Sequence, residues 1–210
     1  MLATFAFVLS VLSTWIGAWE FKQFLDVRSA FAATDEGTFV YWVSAKLIFW
    51  VAPSIWFIKH LGLGFGEVFG LKRVKKALIW GGGIGLAIVA VNVASKTLFF
   101  HLPVFIDKPL LSIINAVIVA PIVEEMMFRG AVLNGLLTGF GFKSANILTA
   151  ALFLLIHIPG WYFQGDVFSH FTSTHAAATL VLGILFGYVA MKSDSVLGSI
   201  ISHSFNNLTS

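Results

Sequence analysis

Residues 119–130 read VAPIVEEMMFRG and place two adjacent carboxylates, Glu124 and Glu125, and a guanidinium, Arg129, in an otherwise apolar stretch. The surrounding segment, 110–137, exceeds the about 20 mainly apolar residues that a helix needs to cross a bilayer. Charged side chains are costly at membrane depth and usually mark functional positions. The stretch therefore predicts a membrane-spanning helix that carries a functional site.

The composition of the whole chain also indicates a membrane protein. Of its 210 residues, 58% are hydrophobic and 11% are charged, and the mean hydropathy is +0.91. Soluble domains use roughly 45–50% apolar and about 25% charged residues. Cysteine is absent, which excludes disulfides, thiol catalysis and thiolate metal sites. The 13 lysines and arginines are scattered without interleaved aromatic residues, so no nucleic-acid partner is expected.

Apolar runs separated by charged or Gly/Pro-rich stretches predict seven helices. They cover 2–19, 39–58, 77–100, 110–137, 144–158, 172–191 and 196–209. The fifth is expected to stop before Pro159-Gly160. The fifth and seventh are short, so we expect each to be tilted, buried in protein or incompletely spanning. The predicted fold is all-α: residues 1–210 form a single integral membrane domain, a polytopic transmembrane bundle of about seven helices around a polar intramembrane cavity.

The charge of the loops predicts the orientation in the membrane. The stretch between the second and third helices contains one acid, Glu67, and a group of basic residues, namely Lys59, Lys72, Arg73, Lys75 and Lys76. Because cytoplasmic loops are enriched in Lys and Arg, we expect a multi-pass protein of the inner (cytoplasmic) membrane with a cytoplasmic N-terminus. The outside loops then hold Lys22, Arg28 and Lys108. Residues 1–10 lack a basic region, so no cleaved signal peptide is expected.

The charged residues of the fourth helix differ in their predicted surroundings. Glu125 and Arg129 lie about one helical turn apart and can pair, whereas Glu124 points about 100° away. Pro121 lacks an amide hydrogen, so a kink or a free carbonyl is expected one turn before Glu124. A structural ion pair would explain Glu125 and Arg129 but would leave Glu124 in need of another partner.

Two later helices offer candidates for that partner. His157 lies near the end of the fifth helix, and His203 and Asn207 lie four residues apart on the seventh. An isolated histidine in a membrane helix is as often a hydrogen-bonding residue as a catalytic group. Glu124, His157 and His203 together, on three helices, indicate a hydrolytic or metal-binding centre. The remaining histidines are interpreted as interfacial, namely His60, His101, His170 and His175.

The third helix contains the small-residue run Gly81-Gly82-Gly83-Ile84-Gly85. Small residues let helix backbones approach closely, so we interpret this run as a packing surface. A phosphate-binding loop has no support, because no strand precedes the run and no Lys-Ser/Thr follows it. Near the end of the same helix, Asn92, Ser95 and Lys96 are interpreted as snorkelling or packing residues.

Three motifs occur in order along the C-terminal half of the chain. Glu124-Glu125-x-x-x-Arg129, Phe153-x-x-x-His157 and His203-x-x-x-Asn207 resemble the signature of the CAAX-processing and bacteriocin-processing (CPBP, also called Abi) membrane proteases. The resemblance covers about residues 110–210 and implies that they form a catalytic core. Residues 1–109, predicted as three variable N-terminal helices, match only as membrane spans.

The resemblance implies an intramembrane glutamic endopeptidase that cleaves near the end of a membrane-associated protein or peptide. Carried over by position, Glu124 would be the general base that activates water, aided by His157. His203 and Asn207 would stabilise the oxyanion. Glu125, Arg129 and Phe153 would support the shape of the site. The expected surroundings are a lipid bilayer and a wet cavity, because peptide hydrolysis consumes water.

Two alternatives use the same residues. Glu124, His157 and His203 could hold zinc through one oxygen and two nitrogens. We nevertheless expect no cofactor, because the helix carries Glu-Glu rather than the His-Glu-x-x-His arrangement of zinc proteases. A non-catalytic bacteriocin-immunity or transport protein is the second alternative, since intramembrane acids and imidazoles also serve proton relays. Substrate identity, prenylation and oligomeric state leave no mark in the sequence.

Overall fold

A computed structural model describes residues 1–100 and 108–209. The described residues contain no β-strand, and the predicted all-α fold is confirmed. The principal helices are α1 (Leu2–Arg28), α2 (Asp35–His60), α3 (Phe65–Phe99), α4 (Leu110–Leu137), α5 (Phe142–Phe163), α6 (His175–Ser193) and α7 (Val196–Thr209). A short helix, Val167–Thr172, lies between α5 and α6. His101, which we assigned to the membrane interface, lies outside the described residues.

Six of the described helices, α1 to α6, are long and apolar enough to cross a membrane, which makes this a multi-pass membrane protein. The last helix, α7, has 14 residues. At 1.5 Å per residue it is only about 21 Å long, shorter than the hydrocarbon core of roughly 30 Å. It is therefore held by the surrounding helices rather than by its own contact with both membrane surfaces.

The predicted end of the fifth helix was wrong. α5 has 22 residues and continues through Pro159 and Gly160 to Phe163. A proline removes one backbone hydrogen bond but does not end a helix that neighbouring elements support. Here α1 provides that support, since the Trp19 ring packs against Gly160 and also stacks on Phe163 with 6.0 Å between ring centroids.

The first helix extends well beyond its predicted end at residue 19, because α1 reaches Arg28. Lys22 is only 6% exposed and pairs with Asp26 one turn later. It also donates a hydrogen bond to the carbonyl oxygen of Ala32 at 3.2 Å. Lys22 and Arg28 therefore lie on a helix rather than in an outside loop, and the charge of Lys22 is neutralised locally.

The disturbance expected near Pro121 takes the form of a wider helical turn. Residues Asn115–Val119 are π-helical, and the amide of Ala120 bonds to the carbonyl of Asn115, five residues back. A second π-helical stretch, Met126–Leu133, follows directly after the two glutamates. Such turns absorb an irregularity without breaking the helix and are frequent at functional sites.

The glycine run of α3 lies against α7. A Cβ atom built on Gly81 would overlap the carbonyl oxygen of Gly198, and one on Gly85 would lie 2.5 Å from the Phe205 ring. Gly82, by contrast, has nothing within 4 Å of such an atom. The absence of a side chain lets the backbone of α3 touch that of α7 at Gly81 and makes room for the Phe205 ring at Gly85, and these contacts position α7.

Candidate active site

Glu125 is fully buried and is held by two partners. Its Oε1 accepts a hydrogen bond from Arg129 Nη1 at 2.9 Å and lies 2.9 Å from His203 Nδ1. Arg129 also donates from Nη2 to the carbonyl oxygen of Gly183 at 2.6 Å. These contacts connect α4 to α6 and α7, so the pair joins three helices at one point.

The contact with Glu125 determines what His203 can do with its other nitrogen. A carboxylate paired with a guanidinium accepts hydrogen bonds but does not donate them, so the hydrogen of His203 lies on Nδ1. The Nε2 atom of His203 then faces the other glutamate and lies 3.8 Å from Glu124 Oε2. This distance is too long for a direct hydrogen bond. A single water molecule could bridge the two atoms.

Glu124 lines a cavity of about 200 Å³, which we call the Glu124 cavity. Glu124 is 9% exposed, in contrast to the fully buried Glu125 beside it. The volume is sufficient for several water molecules, each of which occupies about 30 Å³ in the liquid. Lys46 and His157 also line this cavity, and its aromatic walls are Trp15, Trp19, Trp50 and Trp161.

His157 lies between this cavity and a larger one. Its Nδ1 is 2.7 Å from the carbonyl oxygen of Phe153. Because a carbonyl only accepts, this contact places the hydrogen on Nδ1 and leaves Nε2 available. His157 also lines a cavity of about 590 Å³, which we call the His203 cavity. The Phe153 ring lies against both imidazoles, with centroids 4.7 Å from His157 and 5.9 Å from His203.

Asn207 lines the His203 cavity and is held in place by two hydrogen bonds. Its Nδ2 donates to the carbonyl oxygen of Ala116 on α4 at 2.8 Å, and its Oδ1 accepts from Asn206 Nδ2 at 3.0 Å. Asn92 on α3 donates in turn to Thr209 at 3.1 Å. An amide nitrogen carries two hydrogens, so Asn207 retains one donor for a ligand.

The structure thus brings most of the sequence-predicted site residues into one cluster. Glu125, Arg129, Phe153 and His203 are in contact, and Glu124 and His157 lie beside them. Glu124 and Asn207, however, line different cavities. Among the residues that the structure describes, no group of three or more histidine, aspartate or glutamate side chains is placed to hold a metal ion.

Sequence reasoning missed several residues that line the cavities. Lys46 lines the Glu124 cavity, and the sequence did carry a signal for it, because a lone lysine in the middle of an apolar span is unusual. His170 and His175, interpreted above as interfacial, line the His203 cavity together with Asn92 and Lys96. The positions of His170 and His175 relative to the cavity depend on how the short helix Val167–Thr172 folds back toward α5, which the sequence pattern does not reveal.

Comparison with known proteins relates the part of the chain that forms this site to a protein family. Residues 106–209 match the family model described as type II CAAX prenyl endopeptidase Rce1-like. No curated protein and no solved structure matches the chain. The matched range contains α4 to α7, and therefore all three motifs and every side chain of the cluster described above.

Proposed function

Because residues 106–209 place this chain in the CAAX endopeptidase family of peptide-bond hydrolases, we propose that Glu124 activates the water that cleaves its substrate. The protein is an intramembrane protease that acts on a membrane-associated protein. The observation that carries the proposal is the 3.8 Å gap between Glu124 Oε2 and His203 Nε2 beside the Glu124 cavity. A water molecule in this gap would touch both a base and a potential oxyanion donor.

The two neighbouring glutamates are not equivalent as bases. Glu125 is fully buried, and its Oε1 is shared between Arg129 and His203. A carboxylate with these partners has little tendency to take a proton from water. Glu124 borders a cavity, and no described side chain lies within hydrogen-bonding distance of its oxygens. General base assistance by such a group is typically worth about 10²- to 10⁴-fold in rate.

The reaction balances with the residues present. Glu124 takes a proton from water, the hydroxide oxygen bonds to the peptide carbon, and the carbonyl oxygen becomes an oxyanion. His203 donates to it from Nε2 when its ring carries both protons, and Asn207 donates its second amide hydrogen. One well-placed oxyanion donor is worth about 10²- to 10³-fold in kcat. The carbon–nitrogen bond then breaks, and the proton held by Glu124 passes to the leaving amine.

His157 is proposed to assist at the boundary between the two cavities. Its Nδ1 contact with Phe153 leaves Nε2 free to accept a hydrogen bond from the attacking water. The scissile bond would then lie beside His157, with the water on the Glu124 side and the oxyanion donors on the His203 side. The larger volume of the His203 cavity makes it the better entrance for a peptide.

The orientation and the substrate class are also proposals. The basic residues Lys72, Arg73, Lys75 and Lys76, which the structure places in the first turns of α3, favour a cytoplasmic N-terminus in an inner membrane. With that orientation α5 runs from the cytoplasm outward, so that His157 lies in its outer half. A substrate reaching the site from the bilayer or from outside fits this arrangement. The family description suggests a prenylated C-terminus, and cleavage would fall near the end of the chain.

The test is the purified Glu124→Gln variant with two fluorogenic reporters: a prenylated CAAX peptide, and the same peptide on a hydrophobic helix instead of the prenyl group. We expect the variant to remain folded and to lose at least about 100-fold in kcat on whichever reporter the unmodified protein cleaves. Glu20→Gln, at an exposed position of α1, is the matched control. Wild-type rates in Glu124→Gln, or no cleavage of either reporter by the parent, would contradict the proposal.

The zinc alternative is tested in the same assay. If Glu124 acts on water alone, a metal chelator should leave cleavage unchanged. Loss of activity with a chelator and its return with added zinc would instead support the zinc alternative. Comparing the two reporters also shows whether the prenyl group is required.

A further inference from the structure

Lys46 is a buried lysine in the middle of α2. Lys46 is 7% exposed. Its amine makes one long hydrogen bond, 3.4 Å to Asn115 Oδ1, at the start of the π-helical turn before Pro121. An ammonium group has three donors, so this contact does not satisfy it. A charge at this depth requires a partner of opposite sign or water.

The remaining charges of the bundle centre identify that partner. Two acids, Glu124 and Glu125, and two bases, Arg129 and Lys46, are buried there. Arg129 is engaged with Glu125, so the acid and the base left over are Glu124 and Lys46. Both line the Glu124 cavity. Lys46 forms no ion pair within 4.0 Å with any described residue, so the cavity separates the two charges.

We propose that Lys46 is a positioning residue that acts on Glu124 across this cavity, an inference that rests on the proposed function. Lys46 supplies the opposite charge that a carboxylate needs at membrane depth, yet it leaves both carboxylate oxygens free for the attacking water. Trp15, Trp19 and Trp50 form apolar walls around the pair, and opposite charges act over a longer distance where bulk water is excluded. In the pair of Glu125 and Arg129, by contrast, direct contact occupies a carboxylate oxygen of the glutamate.

The first test separates catalysis from substrate binding. In Lys46→Met we expect kcat to fall about tenfold or more with KM nearly unchanged, because the charge acts on the base rather than on the substrate. Lys46→Arg, which keeps the charge, should recover most of kcat. Lys59→Met, at an exposed position of the same helix, is the matched control. A rise in KM at unchanged kcat would overturn the proposal and make Lys46 a substrate-binding residue.

The second test does not depend on catalysis. Thermal unfolding in one detergent is compared for the parent, Lys46→Met, Glu124→Gln and the double variant. Each single change leaves one charge without its partner, so we expect both to unfold at lower temperature than the double variant. Shifts that simply add would show that the two charges are not coupled and would overturn the proposal. Coupling with full activity of Glu124→Gln would instead contradict only the proposed function.

Discussion

The two cavities on either side of His157 differ in the kind of polar group that they contain. The Glu124 cavity is small and combines a carboxylate and an ammonium group with aromatic walls. The His203 cavity is larger and is lined by imidazole, hydroxyl and amide groups, with Lys96 near the end of α3. Charges interact more strongly in the first because it is smaller and has aromatic walls, whereas the second has room for a peptide and many hydrogen-bonding groups.

This difference suggests that the two cavities have different roles in the proposed mechanism. The fourth helix contributes the acid that handles the proton, and the seventh contributes the donors that stabilise the oxyanion. The two helices meet through the contacts of His203 with the two glutamates and through the hydrogen bond from Asn207 to the Ala116 carbonyl oxygen. Variants on each side of His157 should therefore alter different properties of the protein.

The largest expected effect within the His203 cavity comes from Asn207→Ala. Removing the amide deletes a proposed oxyanion donor but leaves the Glu124 cavity unaltered, so kcat should fall about 10²- to 10³-fold. The measurement is steady-state cleavage of the reporter, with unfolding temperature as a check on integrity. Gln23→Ala, which removes an exposed amide on α1, serves as the control. An unchanged kcat in Asn207→Ala would show that Asn207 does not stabilise the oxyanion.

A smaller effect is expected when the position of α7 is disturbed. In Gly81→Ala the new methyl group meets the backbone of Gly198, so α7 must shift, at a cost of roughly 1–3 kcal/mol. Cleavage should decline as well, because His203 and Asn207 move with this helix. Both properties are measured in the same detergent preparation, by chemical unfolding and by reporter cleavage.

The neighbouring glycine offers a matched comparison for this prediction. Gly82→Ala adds the same methyl group where nothing lies within 4 Å. It should therefore be neutral or should stabilise the helix by up to about 1 kcal/mol through helix propensity. Equal behaviour of the Gly81 and Gly82 variants would show that the close contact between α3 and α7 does not position the site.

The smallest effect is expected at the end of the bundle away from the cavities. Between α6 and α7, Asp194 accepts a hydrogen bond from Lys76 of α3, and this bond, together with the charges of Lys76 and Arg73, lowers the pKa of its carboxyl group. The folded state therefore gains stability above the ordinary aspartate pKa of about 3.9. This gain disappears as the pH falls through the lowered value.

Asp194→Asn should accordingly destabilise the protein by about 0.2–1 kcal/mol near neutral pH, the range for exposed ion pairs. Asparagine tolerates the left-handed backbone at this position, where φ is 48°. The measurement is unfolding free energy against pH for parent and variant, and the two curves should converge on acidification. Added salt should reduce the difference at neutral pH. A difference that persists at low pH would mean that charge is not its source.

Some features of the fold and the site follow from local pattern. Apolar runs predicted the seven helices because a segment in the bilayer must satisfy its own backbone N–H and C=O groups, which a helix does. The pairing of Glu125 with Arg129 reflects their four-residue spacing on one helix. The end of α5 was mispredicted because Trp19, which packs against Gly160 and Phe163, comes from a distant part of the chain.

The sequence by itself determined that this chain is a membrane bundle whose fourth, fifth and seventh helices carry acids, imidazoles and an amide. Only the tertiary structure decided that His203 binds Glu125, that Lys46 faces the same cavity as Glu124, and that Asn207 faces another. The reason is that spacing sets the order of side chains around one helix. The rotation and depth of that helix depend on packing against its neighbours, as the contact of Gly81 with α7 illustrates.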